Sequence, residues 1–236
     1  MQRFLATFLL VLALAGSSIH AQQVCSDAQN AQAKICFQNY LNNYNLPSIT
    51  FQNFINARVD YFGRTGKDGF RKSCTWQTAL NQCLSNINLD LCFTTQSYSN
   101  WFGTTLDDSY SFHSFFFMTK YECGDAEGAI ENNFDCIREA ETKNAANMTN
   151  CWTSYSNRGT TGVDVCKSYD MFVSCIDDAY VSVCGEGIRQ YVCNLAEIGF
   201  EANFSGCNTV LQQCKSAFSK FGLTALILVF LRNIFI

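Results

Sequence analysis

Residues 166–193 read CKSYDMFVSCIDDAYVSVCGEGIRQYVC, placing Cys166, Cys175, Cys184 and Cys193 nine residues apart. The apolar residues between them fall at three- and four-residue steps, so Lys167 to Val183 reads as a helix. Gly185 stands just past that run, where a left-handed cap is needed. Two cysteines nine apart on one helix lie on opposite faces, about 13.5 Å from each other. A disulfide needs Cα atoms within about 7 Å. Neighbours in the run therefore cannot bond each other, and each has to reach a different helix. The stretch thus predicts helices stapled to one another through their sides.

The same spacing occurs at Cys74, Cys83 and Cys92, and the chain holds 14 cysteines in 236 residues. Cys25, Cys36, Cys123, Cys136, Cys151, Cys207 and Cys214 complete the set. That density persists as disulfides only in an oxidising compartment, and an even number lets every thiol pair. Which cysteine joins which is left open by the sequence. Other helices are expected over Ala28 to Tyr44, Phe51 to Phe62, Thr75 to Leu84, Ser109 to Glu122, Ala126 to Glu139 and Ile188 to Phe200. Gly63 and Gly66 should stop the second of these, and Gly124 should cap the helix before it. No segment alternates with period two between hairpin turns, so the fold class is mostly α.

The two cysteine runs suggest an internal pseudo-repeat. Tyr121-Glu122-Cys123 through Ala126, Glu127, Glu131, Asn133 and Phe134 aligns without gaps on Tyr191-Val192-Cys193 through Ala196, Glu197, Glu201, Asn203 and Phe204. The units are expected at about 74–151 and 166–214, with some 22 extra residues between Cys92 and Cys123 and with Cys25 and Cys36 left over. Phe134 and Phe204 should both be buried, and the two segments should share one shape.

The ends of the chain supply an address. Arg3, the apolar run Phe4 to Ala15 and Ile19-His20-Ala21 form a secretory signal over 1–21, its apolar core shorter than the roughly 20 residues that span a bilayer. The body is then 22–216. The tail, 217–236, ends FGLTALILVFLRNIFI, which suits a lipid-anchor signal with Ser216 as the attachment residue. A short embedded helix or a packed core helix are the alternatives for it. Asn147 and Asn203 begin glycosylation sequons, the first in the polar connection TKNAANMTN.

Composition narrows the function. Without Arg3, Lys220 and Arg232, three of the 16 basic residues go, leaving 13 against 20 acidic ones. That balance argues against nucleic acid, which needs a basic stripe. His20 and His113 are the two histidines, and His20 leaves with the signal. His113, among Phe112 and Phe115 to Phe117, reads as a helix-face residue. No catalytic constellation, metal site or cofactor is expected. The adjacent pairs Asp107-Asp108 and Asp177-Asp178 diverge by about 100° on a helix and read as solvated faces. Phe115 to Met118 reads as core, with the lining of an apolar ligand cavity as the alternative.

Cys25-x10-Cys36-Phe37, Cys74-x8-Cys83, Tyr121-Glu122-Cys123-Gly124 and Cys175 to Cys193 with Tyr191-Val192-Cys193 resemble the nematode secreted twelve-cysteine domain known as domain of unknown function 19. A related chondroitin-proteoglycan-type domain is the second likeness. The resemblance implies a secreted or surface helical domain with no assigned activity. The expectation is a non-enzymatic extracellular or cell-surface interaction or structural protein with an extracellular partner of unknown identity, tethered to the membrane by its tail if the tail directs an anchor. The alternative is a carrier of a small apolar ligand.

Overall fold

The computed structural model describes residues 24–156 and 165–202, and every regular element among them is helical. The elements are α1 (Asp27–Asn42), α2 (Phe51–Cys83), α3 (Leu89–Cys92), α4 (Thr95–Phe102), α5 (Leu106–Glu122), α6 (Glu127–Lys143), α7 (Ala145–Ser156), α8 (Val165–Cys184) and α9 (Arg189–Glu201). A single 3₁₀ turn, Glu186–Ile188, leads into α9. The signal segment, Asn203, Phe204, Cys207, Cys214, Ser216 and the tail lie outside the described residues.

Short polar side chains start the early helices. Ser26, Thr50 and Thr105 each accept a hydrogen bond from the backbone N–H three residues on, satisfying a donor the first turn leaves free. Thr94 and Ser97 cap α4 reciprocally, and Gly103 ends it in the left-handed conformation. Asp108, expected on a solvated face, instead accepts from the N–H of Phe51 at 3.0 Å and so ties α5 to the start of α2.

Two glycine expectations change. Gly63 is helical and stops nothing; the break comes at Gly66 alone, with φ 60° and ψ −146°, and helix resumes immediately on both sides. Gly124 does not take a positive φ. A Cβ there would stand 3.1 Å from the carbonyl oxygen of Lys120, so close approach is what favours glycine at that position. Gly185 does have positive φ, at 76°.

The helices enclose two large apolar clusters and a small third one, Val173 and Cys193 between α8 and α9. The first surrounds Phe37, whose ring packs against Phe93, Tyr98, Trp101 and Phe116 from α3 to α5. Phe54 and Leu80 close it from the two halves of α2. The second gathers Phe62 and Phe70 of α2 with Ile130, Phe134 and Ile137 of α6 and Val192 of α9. Each buried Phe contributes on the order of 2 kcal/mol of transfer free energy. The 22-residue insertion between Cys92 and Cys123 is thus no loop: it supplies α4 and most of α5, and with them much of the first core.

Five disulfides cross between elements: Cys25–Cys92, Cys36–Cys83, Cys74–Cys123, Cys136–Cys184 and Cys151–Cys175. Cys166 and Cys193 are also disulfide-bonded, and no described cysteine is free. None of the five joins neighbours in a nine-residue run, as helix geometry requires. They also cross the expected unit boundaries, because Cys25 and Cys36 pair with the first run while Cys136 and Cys151 pair with the second.

The strict equivalence of the Tyr-x-Cys segments does not hold. Residues 123–126 form a turn between α5 and α6, whereas Cys193 to Ala196 lie inside α9. The helix ends at Cys123 because the chain must fold back to bring α6 under α2. Phe134 is buried, as expected. Residues 144–150 differ too. Asn144 ends α6 and donates to the carbonyl of Ala179 at 2.6 Å, and α7 begins at the next residue, so Asn147 is an exposed helical residue and not part of a loop.

Candidate functional site

Arg58 stands on the first half of α2 among Phe54, Ile55 and Phe62, which lie three or four residues away and share its face. Its side chain is 14% exposed. The guanidinium lies over the rings of Phe62 and Phe115 at 4.7 and 4.9 Å, so aromatic faces replace part of its hydration. Nη2 donates to Glu122 Oε2 at 2.7 Å, and the hydroxyl of Tyr191 donates to Glu122 Oε1 at 3.1 Å. Beside this pair Arg138 donates to Glu141 of α6, and the Tyr180 hydroxyl reaches the same carboxylate from α8. Five helices therefore deliver two ion pairs and two phenols to one place.

Burial shapes the ionisation of these groups. It pulls the Arg58 guanidinium downward, but the Glu122 carboxylate and the nearby phenols of Tyr44 and Tyr40 outweigh it and hold the cation. Burial pushes the Glu141 carboxyl up, against the lowering influence of Arg138 and Arg58. It also raises the Tyr191 and Tyr180 hydroxyls, with the neighbouring glutamates adding to the effect. Both phenols therefore remain neutral donors.

Ile55, Phe62, Phe70, Ile130, Phe134 and Ile137 wall a cavity of about 190 Å³, and Arg58, Glu122, Arg138, Glu141 and Tyr191 supply its polar lining. Arg58 Nε is buried there without a hydrogen-bond partner. The Tyr40 and Tyr44 hydroxyls lie close to each other and to Arg58, also without a hydrogen bond of good geometry. A buried donor left unmade costs roughly 1–3 kcal/mol. Two such phenols beside a guanidinium whose own Nε is unmet mark this as the least satisfied interior among the described residues.

His113 and the paired aspartates singled out in the sequence lie elsewhere. His113 packs against Phe93 and Phe117 and its Nε2 lies 3.1 Å from the Phe93 carbonyl oxygen, inside the first core. Asp177 is buried and paired with Arg189, which corrects its reading as a solvated residue; Asp178 is exposed. A buried carboxylate needs that cation, and Arg189 enters from the start of α9 to supply it. Phe112 and Phe116 are core, while Phe115 forms a wall against Arg58. No group of three metal-ligating side chains occurs among the described residues, and no described helix is long and apolar enough to cross a membrane.

Glu122 and Tyr191 belong to the two aligned Tyr-x-Cys motifs, and those motifs meet. Tyr191 reaches Glu122, and Asn194 donates to the hydroxyl of Tyr121 at 2.9 Å. Arg58, Arg138, Glu141 and Tyr180 went unnoticed in the sequence. Arg58 left one legible trace, a charge in register with an aromatic stripe. Set against protein-family models, curated proteins and solved structures, the chain matches none of them.

Proposed function

We propose that this is a non-enzymatic extracellular or cell-surface protein whose disulfide-stapled helical body serves interaction or structure. The oxidation of every described cysteine carries the reading, because a cytosolic thiol–disulfide poise would not sustain it. The mildly acidic balance, the exposed sequon at Asn147 and a cysteine rhythm that resembles the nematode secreted domain's point the same way. Under this reading residues 1–21 direct secretion, and the tail after Ser216 directs a lipid anchor.

The full chain expressed in secretory cells tests this. The expected product is surface-bound, carries glycan at Asn147, exposes no free thiol when denatured, and is released by a phosphatidylinositol-specific phospholipase. Retention in the cytosol with reactive thiols would overturn the extracellular reading. Recovery of Ile227 to Phe230 in mature protein would remove the anchor alone.

A second reading, carriage of a small ligand, is favoured by the cavity at Arg58. It places the ligand among Phe62, Phe70 and Phe134 of the second cluster, and not along Phe115 to Met118, none of which lines the cavity.

A further inference from the structure

We propose that the α8–α9 hairpin is the covalent seat of the segment 203–214: Cys166 bonds Cys207, and Cys193 bonds Cys214. With the five bridges described above, these two make seven.

The register of the hairpin excludes the simplest alternative. Arg189 pairs with Asp177, and Cys193 packs against Val173. The Tyr169 hydroxyl donates to the Ala196 carbonyl at 2.9 Å, and its ring stacks on Phe200. Each step back along α8 is therefore matched by a similar step forward along α9. Cys166, about one turn before Tyr169, lies level with the end of α9. Cys193 lies level with Val173, seven residues further along α8. The two cysteines are thus about 10 Å apart along the hairpin. A disulfide needs Cα atoms within about 7 Å, so they cannot bond each other.

Both are nonetheless oxidised. The other ten described cysteines are joined among themselves. Of the 14 cysteines in the chain, Cys207 and Cys214 remain as partners.

Chain length selects between the two assignments. Ala202 follows α9 directly, beside Cys166, and Cys207 is five residues on. Bonding Cys207 to Cys166 keeps those five residues at the end of the hairpin. The seven from Cys207 to Cys214 then cover about 10 Å back to Cys193, well within the roughly 23 Å that seven residues span. The crossed assignment asks five residues to run back about 13.5 Å from Ala202 to Cys193. That is close to their limit of roughly 17 Å, and the next seven must return. Val210 and Leu211 lie between the two bridges. They are the apolar residues that such a cover lays over the Val173–Cys193 cluster.

Each bridge forms by thiol–disulfide exchange, a step that rests on the extracellular reading. One thiolate attacks the disulfide of a secretory-pathway oxidant protein, and the partner thiolate resolves the mixed disulfide. Two protons and two electrons leave the cysteine pair, and the oxidant's disulfide becomes two thiols. Cys214 precedes Ser216 by two residues, so both bridges persist whether the tail is removed or kept. The root of the tail is then held at the α8–α9 face.

Non-reducing digestion of the secreted protein with trypsin and chymotrypsin, read by tandem mass spectrometry, tests the assignment. Cuts after Lys167, Arg189, Phe200 and Leu211 place Cys166, Cys193, Cys207 and Cys214 on separate peptides. The expected links are Cys166 to Cys207 and Cys193 to Cys214, both lost on reduction. A link between Cys166 and Cys193 would overturn the register and the proposal with it. Cys166 joined to Cys214, with Cys193 joined to Cys207, would overturn the pairing while leaving the extracellular reading intact. Free thiols at all four positions would overturn that reading as well. In Cys193→Ala the orphaned thiol should be Cys214, read by alkylation after denaturation; alkylation at Cys207 or Cys166 would overturn the assignment. The wild-type map decides these points even if the variant is not secreted.

Discussion

Removing the Glu122 carboxylate should cost more than removing the whole ion pair. Glu122 and Arg58 are 10% and 14% exposed, so each side chain has given up most of its water. Glu122→Gln keeps the shape and still offers Tyr191 an acceptor, but it leaves Arg58 without its counter-charge. Breaking a buried pair in this way costs about 3–5 kcal/mol. Glu122→Leu additionally orphans the Tyr191 hydroxyl, adding roughly 1–3 kcal/mol. In the double variant Arg58→Met/Glu122→Leu the charge penalty disappears, because an apolar pair of similar volume is close to neutral. Only the Tyr191 penalty, roughly 1–3 kcal/mol, then remains.

The double variant should therefore be more stable than Glu122→Leu alone. Guanidinium chloride unfolding, followed by circular dichroism with disulfides intact, gives the comparison through midpoints and slopes. A cost below about 1 kcal/mol for Glu122→Gln would refute the reasoning, since it would mean that water solvates Arg58 as soon as its partner leaves.

Three further outcomes are expected. Burial raises the Glu141 carboxyl above its ordinary value of 4.5, so its contribution to stability is complete below that value and is lost as pH rises through the folded value. Wild type should lose stability relative to Glu141→Gln as pH rises above the ordinary carboxyl value of 4.5, in parallel denaturation curves; an unchanged gap would contradict the burial of Glu141. Gly66→Ala places a Cβ in open space but on a backbone at φ 60°, ψ −146°, and should cost on the order of 1–3 kcal/mol in thermal unfolding. Non-reducing peptide mapping should recover Cys25 joined to Cys92, Cys36 to Cys83, Cys74 to Cys123, Cys136 to Cys184 and Cys151 to Cys175; a bond between Cys74 and Cys83 would contradict the helical geometry.

The helices were legible because their signals are local. Three- and four-residue periodicity marked α1, α5, α8 and α9 to within a few residues, and the nine-residue spacing dictated that bridges leave their own helix. Pairing was illegible, because it depends on which helices pack side by side. The kink at Gly66 was half legible: glycine marked the position, but only tertiary packing decides that helix resumes after it. The turn at Cys123 to Ala126 overrode a seven-in-fourteen sequence match, since the bend there serves packing of α6 that α9 does not share. The cavity escaped notice for a similar reason. Arg58, Glu122, Arg138 and Tyr191 are scattered over more than 130 residues, and what joins them is one cavity wall assembled by helices from distant parts of the chain.

The disulfides have unequal relations to that interior. Cys123 follows Glu122 directly, and its bridge to Cys74 pins the end of α5 to α2, the helix that carries Arg58. Cys136 precedes Arg138 by two residues, and Cys184 follows Tyr180 by four, so their bridge fixes α6 against α8 at the second ion pair. Cys25–Cys92 lies outside Cys36–Cys83 and holds the first aromatic cluster. In chain-entropy terms, removing Cys74–Cys123 opens a loop with sequence separation 49 and costs about 4 kcal/mol. Removing Cys25–Cys92 costs only about 3 kcal/mol, because the inner bridge still shortens the ring to roughly 20 residues. The two alanine double variants should thus differ little in stability, yet the cost of Glu122→Gln should shrink only in the Cys74→Ala/Cys123→Ala background, since that variant frees the end of α5 that holds the carboxylate against Arg58. An equal reduction of that cost in both backgrounds would show that the bridges act on the fold as a whole and not on the ion pair.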